Sequence, residues 1–270
     1  LRGEISKKIG YALAEKYDRK IFRAITKAAR QASPITKSNF VEPGGTQIRV
    51  GTNAQASDAY NSTALVNAFY DAAAALDEKG VSMDGRVAVL NPRQYYELIQ
   101  GVGGSGSGAY LINRDEQGDA LQSGNGILEI AGIRIYKSMN IPFFGKFGTN
   151  LGGSAGATNP GVAAPTNTGD FVGEAIADER AGTGAVKTVN TYGNLDNFNN
   201  SCGLIFQKEA AGCVEAIGPQ VQVTSGDISV VYQGDVILGR LAMGADALNP
   251  AAAVELIAGA AVSNSTTTFE

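Results

Sequence analysis

Between residues 4 and 31 an apolar side chain recurs at every fourth position: Ile5, Ile9, Leu13, Tyr17, Ile21 and Ile25, with Ala12, Ala24 and Ala28 beside them. That spacing puts one apolar stripe on a helix and leaves Lys and Arg on the other face. At ~1.5 Å per residue such a helix is about 40 Å long, more than a typical globular helix. Pro34 and the Ser-rich stretch after it end the helix.

The same segment holds an unusual charge. Ten of the 22 basic residues lie in the first 37 positions: Arg2, Lys7, Lys8, Lys16, Arg19, Lys20, Arg23, Lys27, Arg30 and Lys37. Only Glu4, Glu15 and Asp18 oppose them, leaving +7, while the other 233 residues carry 12 bases and 23 acids, or −11. A basic helix joined to an acidic body implies a partner outside its own fold. Unlike patches on neighbouring copies attract and like patches repel, so this segregation favours ordered self-association. The helix could instead grip nucleic acid phosphates. The body is acidic, which favours a packing role. Lys16, Arg19, Lys20 and Arg23 are the candidate inter-subunit contacts, expected to meet acidic groups on the body or on a neighbour.

The chain has no His and no Trp. The commonest acid–base group and metal ligand is therefore missing. Cys202 and Cys213 are too few for a disulfide scaffold, and a reduced compartment is the simpler reading. No apolar run approaches the ~20 residues of a membrane span, and no signal-peptide pattern opens the chain. Residue 1 is Leu, and helical periodicity is under way by Ile5, so an upstream segment is expected.

After the first helix, residues 35–56 read as extended or looping, with a turn at 41–45. A second helix is expected from about Asp58 to Lys79, with Leu65, Phe69, Ala72, Ala73 and Leu76 inward and Gly80 at its C-terminal cap. Arg86–Leu90 reads as a strand. Asn91-Pro92 then starts a helix, with Asn as N-cap and Pro in the first helical position; Tyr95, Leu98 and Ile99 face inward from it. Strands are expected at 127–130 and 133–138. The Gly-rich or small-residue stretches 101–126, 143–172 and 180–200 read as loops over the surface. Strand signals return at Gly203–Gln207, Val214–Ile217, Val221–Thr224 and Ile228–Gln233; Asp235–Met243 and Ala251–Ala258 fit either strand or helix. Helical signals at the front and strand signals at the back predict an α+β protein.

Chemical motifs are weak. Gly101–Gly108 could cradle phosphate, but no Lys follows the glycines and a helix precedes them. Gly145-Lys146 is followed by Phe147 and fails the same pattern. Asp115/Glu116 and Asp178/Glu179 could bind Ca²⁺ or serve acid–base chemistry, but the EF-hand spacing is absent and solvated loop charge is the default. No Gly-x-Ser-x-Gly elbow has His and Asp partners. Two cysteines eleven apart do not make a zinc site. Asn61-Ser62-Thr63 matches a glycosylation acceptor, but lies on an expected helix. Neither a catalytic residue nor a cofactor or metal ligand is assigned.

Three stretches in order carry a resemblance. They are "VLNPRQYYELI" within Arg86–Gln100, "GIRIYKSMNIP" at Gly132–Pro142 and "VILGRLAMGADALNPAAAV" at Val236–Val254. With the long opening helix, they resemble major capsid proteins of short-tailed, T-seven-like phages (podoviruses), which share the Hong Kong 97-type capsid fold. The resemblance implies an α+β fold with a long spine helix at residues 1–31, a peripheral domain in two parts (1–83 and 226–270) and an axial domain at 84–225. It also implies an N-terminal arm and extended loop ahead of the helix. Some relatives cross-link subunits through a Lys on that loop, and no cross-link residue is assigned here.

The implied function is a shell. Copies of the chain form pentamers and hexamers that close into an icosahedral capsid, with a scaffolding protein and portal as assembly partners and double-stranded DNA held non-specifically, without a membrane. Assembly takes place in the host cytoplasm. The nearest alternative is a nanocompartment of the same fold around cargo enzymes. More remote are a nucleotide-binding enzyme using the 101–108 loop and a surface-layer β-protein.

Overall fold

The first helix, α1, runs from Arg2 to Arg30 and carries the stripe that the sequence predicts. In the computed structural model, which describes residues 2–37, 39–51, 61–100, 128–138, 140–141, 201–223 and 237–257, it packs mainly against the strands near the C-terminal end of the chain. Two short strands, β1 (Thr36–Lys37) and β2 (Phe40–Val41), form a hairpin, and β3 (Thr46–Arg49) enters the main sheet. Helix α2 (Ser62–Glu78), strand β4 (Val87–Leu90), helix α3 (Pro92–Gln100) and strands β5 (Leu128–Ile130) and β6 (Ile133–Lys137) follow. Strands β7 (Ser201–Phe206), β8 (Ala211–Val223), β9 (Ile237–Ala247) and β10 (Ala253–Ile257) complete the described chain.

Six strands make one mixed sheet in the order β3-β10-β7-β4-β6-β5. The pairs β3/β10 and β4/β6 are parallel and the others antiparallel. Alternate residues of a strand face opposite sides, and this sheet buries both. On one side Ala88, Leu90, Ile205, Val254 and Leu256 meet Leu65, Phe69 and Leu76 of α2 and Tyr95 and Leu98 of α3. On the other, Val89, Leu204 and Ala253 meet Ile25, Ala28 and Ala29 of α1. The layers are therefore α2 and α3, then the sheet, then the second half of α1. All of β10 is buried, as expected of a central strand covered on both faces.

Helix α2 starts later than expected. Asn61 is its N-cap, and the Asn61 Oδ1 accepts from the backbone N–H of Thr63 and Ala64 at 3.0 and 3.2 Å. Its other end follows the expected glycine cap: Gly80 has φ +70°, its N–H donates to Asp77 O, and the Val81 N–H donates to Leu76 O. That is a Schellman turn. Arg86 ties the same end to β4, donating to Asp77 Oδ1 at 2.7 Å and to the carbonyls of Ser82 and Val81. Lys79 reaches Gly44 O and Thr46 Oγ1, and partial burial lowers its pKa from the usual lysine value.

The two Asn-Pro pairs behave differently. Asn249 caps a short 3₁₀ turn at Pro250–Ala252, its Oδ1 accepting from Ala251 N–H at 3.1 Å. Asn91 precedes α3 as expected, but its side chain does not cap. Neither its Oδ1 nor its Nδ2 has a hydrogen-bond partner, and only its backbone carbonyl accepts, from Tyr95 N–H. Of the stretch 251–258, which fits strand or helix by sequence, the described residues 251–257 use both: the end of the 3₁₀ turn and then β10.

The second sheet is the ribbon β8/β9 alone. The sequence reads as two strands at 214–217 and 221–224, and the structure runs one strand through both. The pairing register shifts between Glu215 and Ile217 and again between Ile217 and Gln220, so Gly218-Pro219 is taken up as an irregularity. The ambiguous Asp235–Met243 segment is strand, as β9. The expected strand at Ile228–Gln233, the Gly101–Gly108 loop, the Gly145-Lys146 pair, the acidic pairs at 115/116 and 178/179, and the loops at 143–172 and 180–200 lie outside the described residues.

Candidate assembly interface

The opening helix is held to the body at both ends of its length, by different means. Ile9 and Leu13 sit over Gly239 of β9, where an added Cβ would come within 2.4 Å of Ile9 Cγ2. Tyr17 Oη lies 3.1 Å from Cys213 Sγ on β8; that hydrogen bond, more than burial, raises the phenol's pKa. Further along, Lys27 Nζ is 2.7 Å from Asp246 Oδ1 of β9. Helix and strand thus run in the same direction, with Ile9 beside Gly239 and Lys27 beside Asp246. Cys213 is exposed and Cys202 buried, and the two are not joined in a disulfide.

At the end of the helix the attachment becomes buried and ionic. Arg30 donates through Nε and Nη2 to the two oxygens of Glu255, at 2.6 and 2.7 Å, with both side chains fully buried. Gln47 Nε2 donates to the same carboxylate at 3.0 Å. A bidentate Arg–carboxylate pair with a further donor is the geometry that offsets the desolvation of two charges. The chain after the helix also turns back tightly. A Cβ on Gly45 would lie 2.2 Å from Ala28 O and 2.3 Å from Ala29 O, so only glycine fits against the helix end.

The four candidate contact residues separate. Arg19 is 3% exposed and pairs with Glu15 of its own helix at 2.7 Å. Lys16 and Lys20 are exposed, and Arg23 is half-buried. Lys20 and Arg23 meet Lys27 and Asp246 around a pocket of about 210 Å³ between α1 and β9, which neither Lys16 nor Arg19 lines. Two ion pairs that join the helix to the body, Lys27–Asp246 and Arg30–Glu255, use bases further along than those four. Two signals point to them: Lys27 and Arg30 occupy the last turn, where cations are favoured, and Glu255 is a lone charge in an apolar run, which demands a buried partner.

The ribbon is as open as the six-stranded sheet is closed. Val214 is 73% exposed and Leu238 52%, and Val221 and Val223 are exposed beside them. The apolar side chains Tyr11 and Ile5 of α1 are also exposed, as are Phe40 and Val41 of the small hairpin. No helix among the described residues is long and apolar enough to cross a membrane. No group of three His, Cys, Asp or Glu side chains among them could hold a metal ion.

This architecture has known relatives. The family model described as Gp10A-like, major capsid protein, matches residues 1–257. The capsid structure of the cyanophage P-SCSP1u is similar over 97% of this chain and 67% of that chain, with 26% identity and a TM-score of 0.64. The mature capsid of bacteriophage PhiM1 is similar over 94% of this chain and 64% of that chain, with 16% identity and a TM-score of 0.56. This chain thus spans about two thirds of the length of those capsid proteins. No curated protein matches it. The α+β fold is that of phage capsid proteins, the role is that of a shell-forming subunit, and the chain belongs to the Gp10A-like major capsid protein family.

Proposed function

We propose that copies of this chain form pentamers and hexamers that close into an icosahedral shell around double-stranded DNA. The match to a major capsid family over residues 1–257 carries the reading. The exposure of the β8/β9 ribbon supports it, because a two-stranded sheet is marginal in water and gains most from neighbours that cover it. The part played is architectural, and no side chain makes or breaks a covalent bond. Each contact between copies can be modest when every subunit makes several, and one surface must fit slightly different neighbours.

Lys16, Arg19, Lys20 and Arg23 remain the candidate contacts on the helix, with the exposed Lys16 and Lys20 the most accessible. The peripheral part is residues 1–83 and 226–270, and the axial part 84–225. Both sheets cross these boundaries, so the division describes position in the shell and not separate cores. Assembly takes place in the host cell with a scaffolding protein and a portal, and the acidic body keeps the packaged DNA loosely held, since like charges repel.

Negative-stain microscopy of the purified protein tests the reading. Hollow polyhedra with nuclease-protected DNA in particles from infected cells are expected. Shells filled with a cargo enzyme and free of DNA would move the assignment to a nanocompartment. A protein that stays monomeric at every concentration would overturn it.

A further inference from the structure

Lys20, Arg23 and Lys27 are three and four residues apart, which puts them on one face of α1. With Asp246 of β9 they wall the pocket of about 210 Å³, and Ala24, Gly244 and Ala245, also in its lining, are too small to fill it. The wall carries three positive charges and one negative. Like charges at this helical spacing repel, and Asp246 answers Lys27 at 2.7 Å. All three cations also interact within their own chain. What sets the place apart is an open volume bounded by a net charge of +2.

We propose that this pocket receives a single carboxylate side chain from a second copy of the chain, seated between Lys20 and Arg23. This rests on the shell-forming reading. Charge complementarity names the occupant: outside residues 1–37 each copy bears 23 acidic side chains against 12 basic ones. A guanidinium and an ammonium around a small concave site suit one planar carboxylate, which Arg can hold in two-point fashion. Duplex DNA fits less well, because it brings a dense row of phosphates, whereas a concave site of this volume has room for one anionic group.

Zero-length carbodiimide coupling on assembled shells tests this directly, since it joins an amine to a carboxylate only when the two touch. Shells are assembled without nucleic acid from an equal mixture of ordinary and ¹⁵N-labelled chain. The expected product joins Lys20 to an Asp- or Glu-containing peptide, with mixed-isotope pairs about as abundant as same-isotope pairs. Gly244 offers a second arm, because a Cβ built there meets nothing within 4 Å. Gly244→Leu fills the pocket, and should remove the Lys20 product and lower shell yield several-fold at an unchanged urea midpoint for the unassembled chain.

Shells that form at normal yield with Gly244→Leu, or Lys20 products found only within one isotope, overturn the pocket assignment and leave the shell-forming reading intact. If Lys20→Gln/Arg23→Gln forms empty shells normally but retains less DNA, the occupant is phosphate and the proposal falls. Failure of the unmodified chain to close shells at all removes both.

Discussion

The six-stranded sheet and the β8/β9 ribbon are built to opposite plans. Every residue of β10 and nearly all of β7 are buried, with helices on both faces. Most of β8 is exposed, and among the described residues the β8/β9 ribbon pairs only with itself. The first is complete as a core. The second has α1 against it and awaits other cover, which on the proposed reading comes from neighbouring copies. Helix α1 joins the plans: its second half closes the core through Ile25, Ala28 and Arg30, and its first half lies over the ribbon with Ile5 and Tyr11 in water. A subunit of this kind can fold on one half and assemble with the other.

The largest test of that contrast is the buried ion pair. Arg30→Met leaves Glu255 buried beside Gln47 without its guanidinium, and removing one member of such a pair costs about 3–5 kcal/mol. Urea unfolding of the unassembled chain should show a loss of that order. Arg30→Met/Glu255→Leu should recover much of it, because an apolar pair of similar volume is often tolerated. A loss under about 1 kcal/mol for the single variant would mean that the helix end is not locked to the sheet.

Truncation separates the two regions next. Phe69→Ala in the closed core should cost about 3–5 kcal/mol, and Val214→Ala on the open ribbon no more than about 0.5 kcal/mol in the unassembled chain. Equal losses at both sites would erase the distinction. The turn behind α1 comes third. Gly45→Ala forces a Cβ into the carbonyls of Ala28 and Ala29 and should cost about 1–3 kcal/mol, the range for overpacking against unyielding neighbours. Gly244→Ala, with open space around its Cβ, should be close to neutral in the same assay.

The smallest effect belongs to the exposed pair. The hydrogen bond from Lys27 holds the Asp246 carboxyl below its usual pKa. A depressed carboxylate contributes stability above its unfolded pKa, about 3.9, and loses that contribution as pH falls through the lower folded value. Asp246 is 70% exposed, so solvent screening keeps the pair near 0–1 kcal/mol. Lys27→Met should therefore lose at most about 1 kcal/mol at pH 7, where the contribution is fully present, and flatten the fall in urea midpoint below pH 4 as that loss disappears. A drop of several kcal/mol at neutral pH would show that Lys27 is part of the core lock.

Local rules made much of the closed region readable in the sequence. The four-residue stripe of α1, the inward face of α2 from Leu65 to Leu76 and the glycine cap at Gly80 depend on neighbours in the chain, and all stand in the structure. What escaped depends on distant partners. Arg30 and Glu255 are 225 residues apart, and no local pattern pairs them. The ribbon was split in two because Gly218-Pro219 breaks strand periodicity, and only the pairing with β9 carries the strand past it. Residue type makes Asn91 a cap, yet its side chain is buried without a partner and its backbone carbonyl accepts from Tyr95 N–H instead. For the candidate contacts, sequence marked the basic face of α1. It could not say that Arg19 turns inward to Glu15, nor that Lys20 and Arg23 share a pocket with Lys27.

Hydrogen exchange on unassembled chain and on closed shells measures the contrast most directly. Amides of β4, β7 and β10 should be protected in both states. Those of β8 and β9, at 211–223 and 237–247, should exchange rapidly in the unassembled chain and slow by at least tenfold in shells. A ribbon that is already as protected as the central sheet before assembly, and unchanged after it, would contradict a subunit left open for its neighbours to complete.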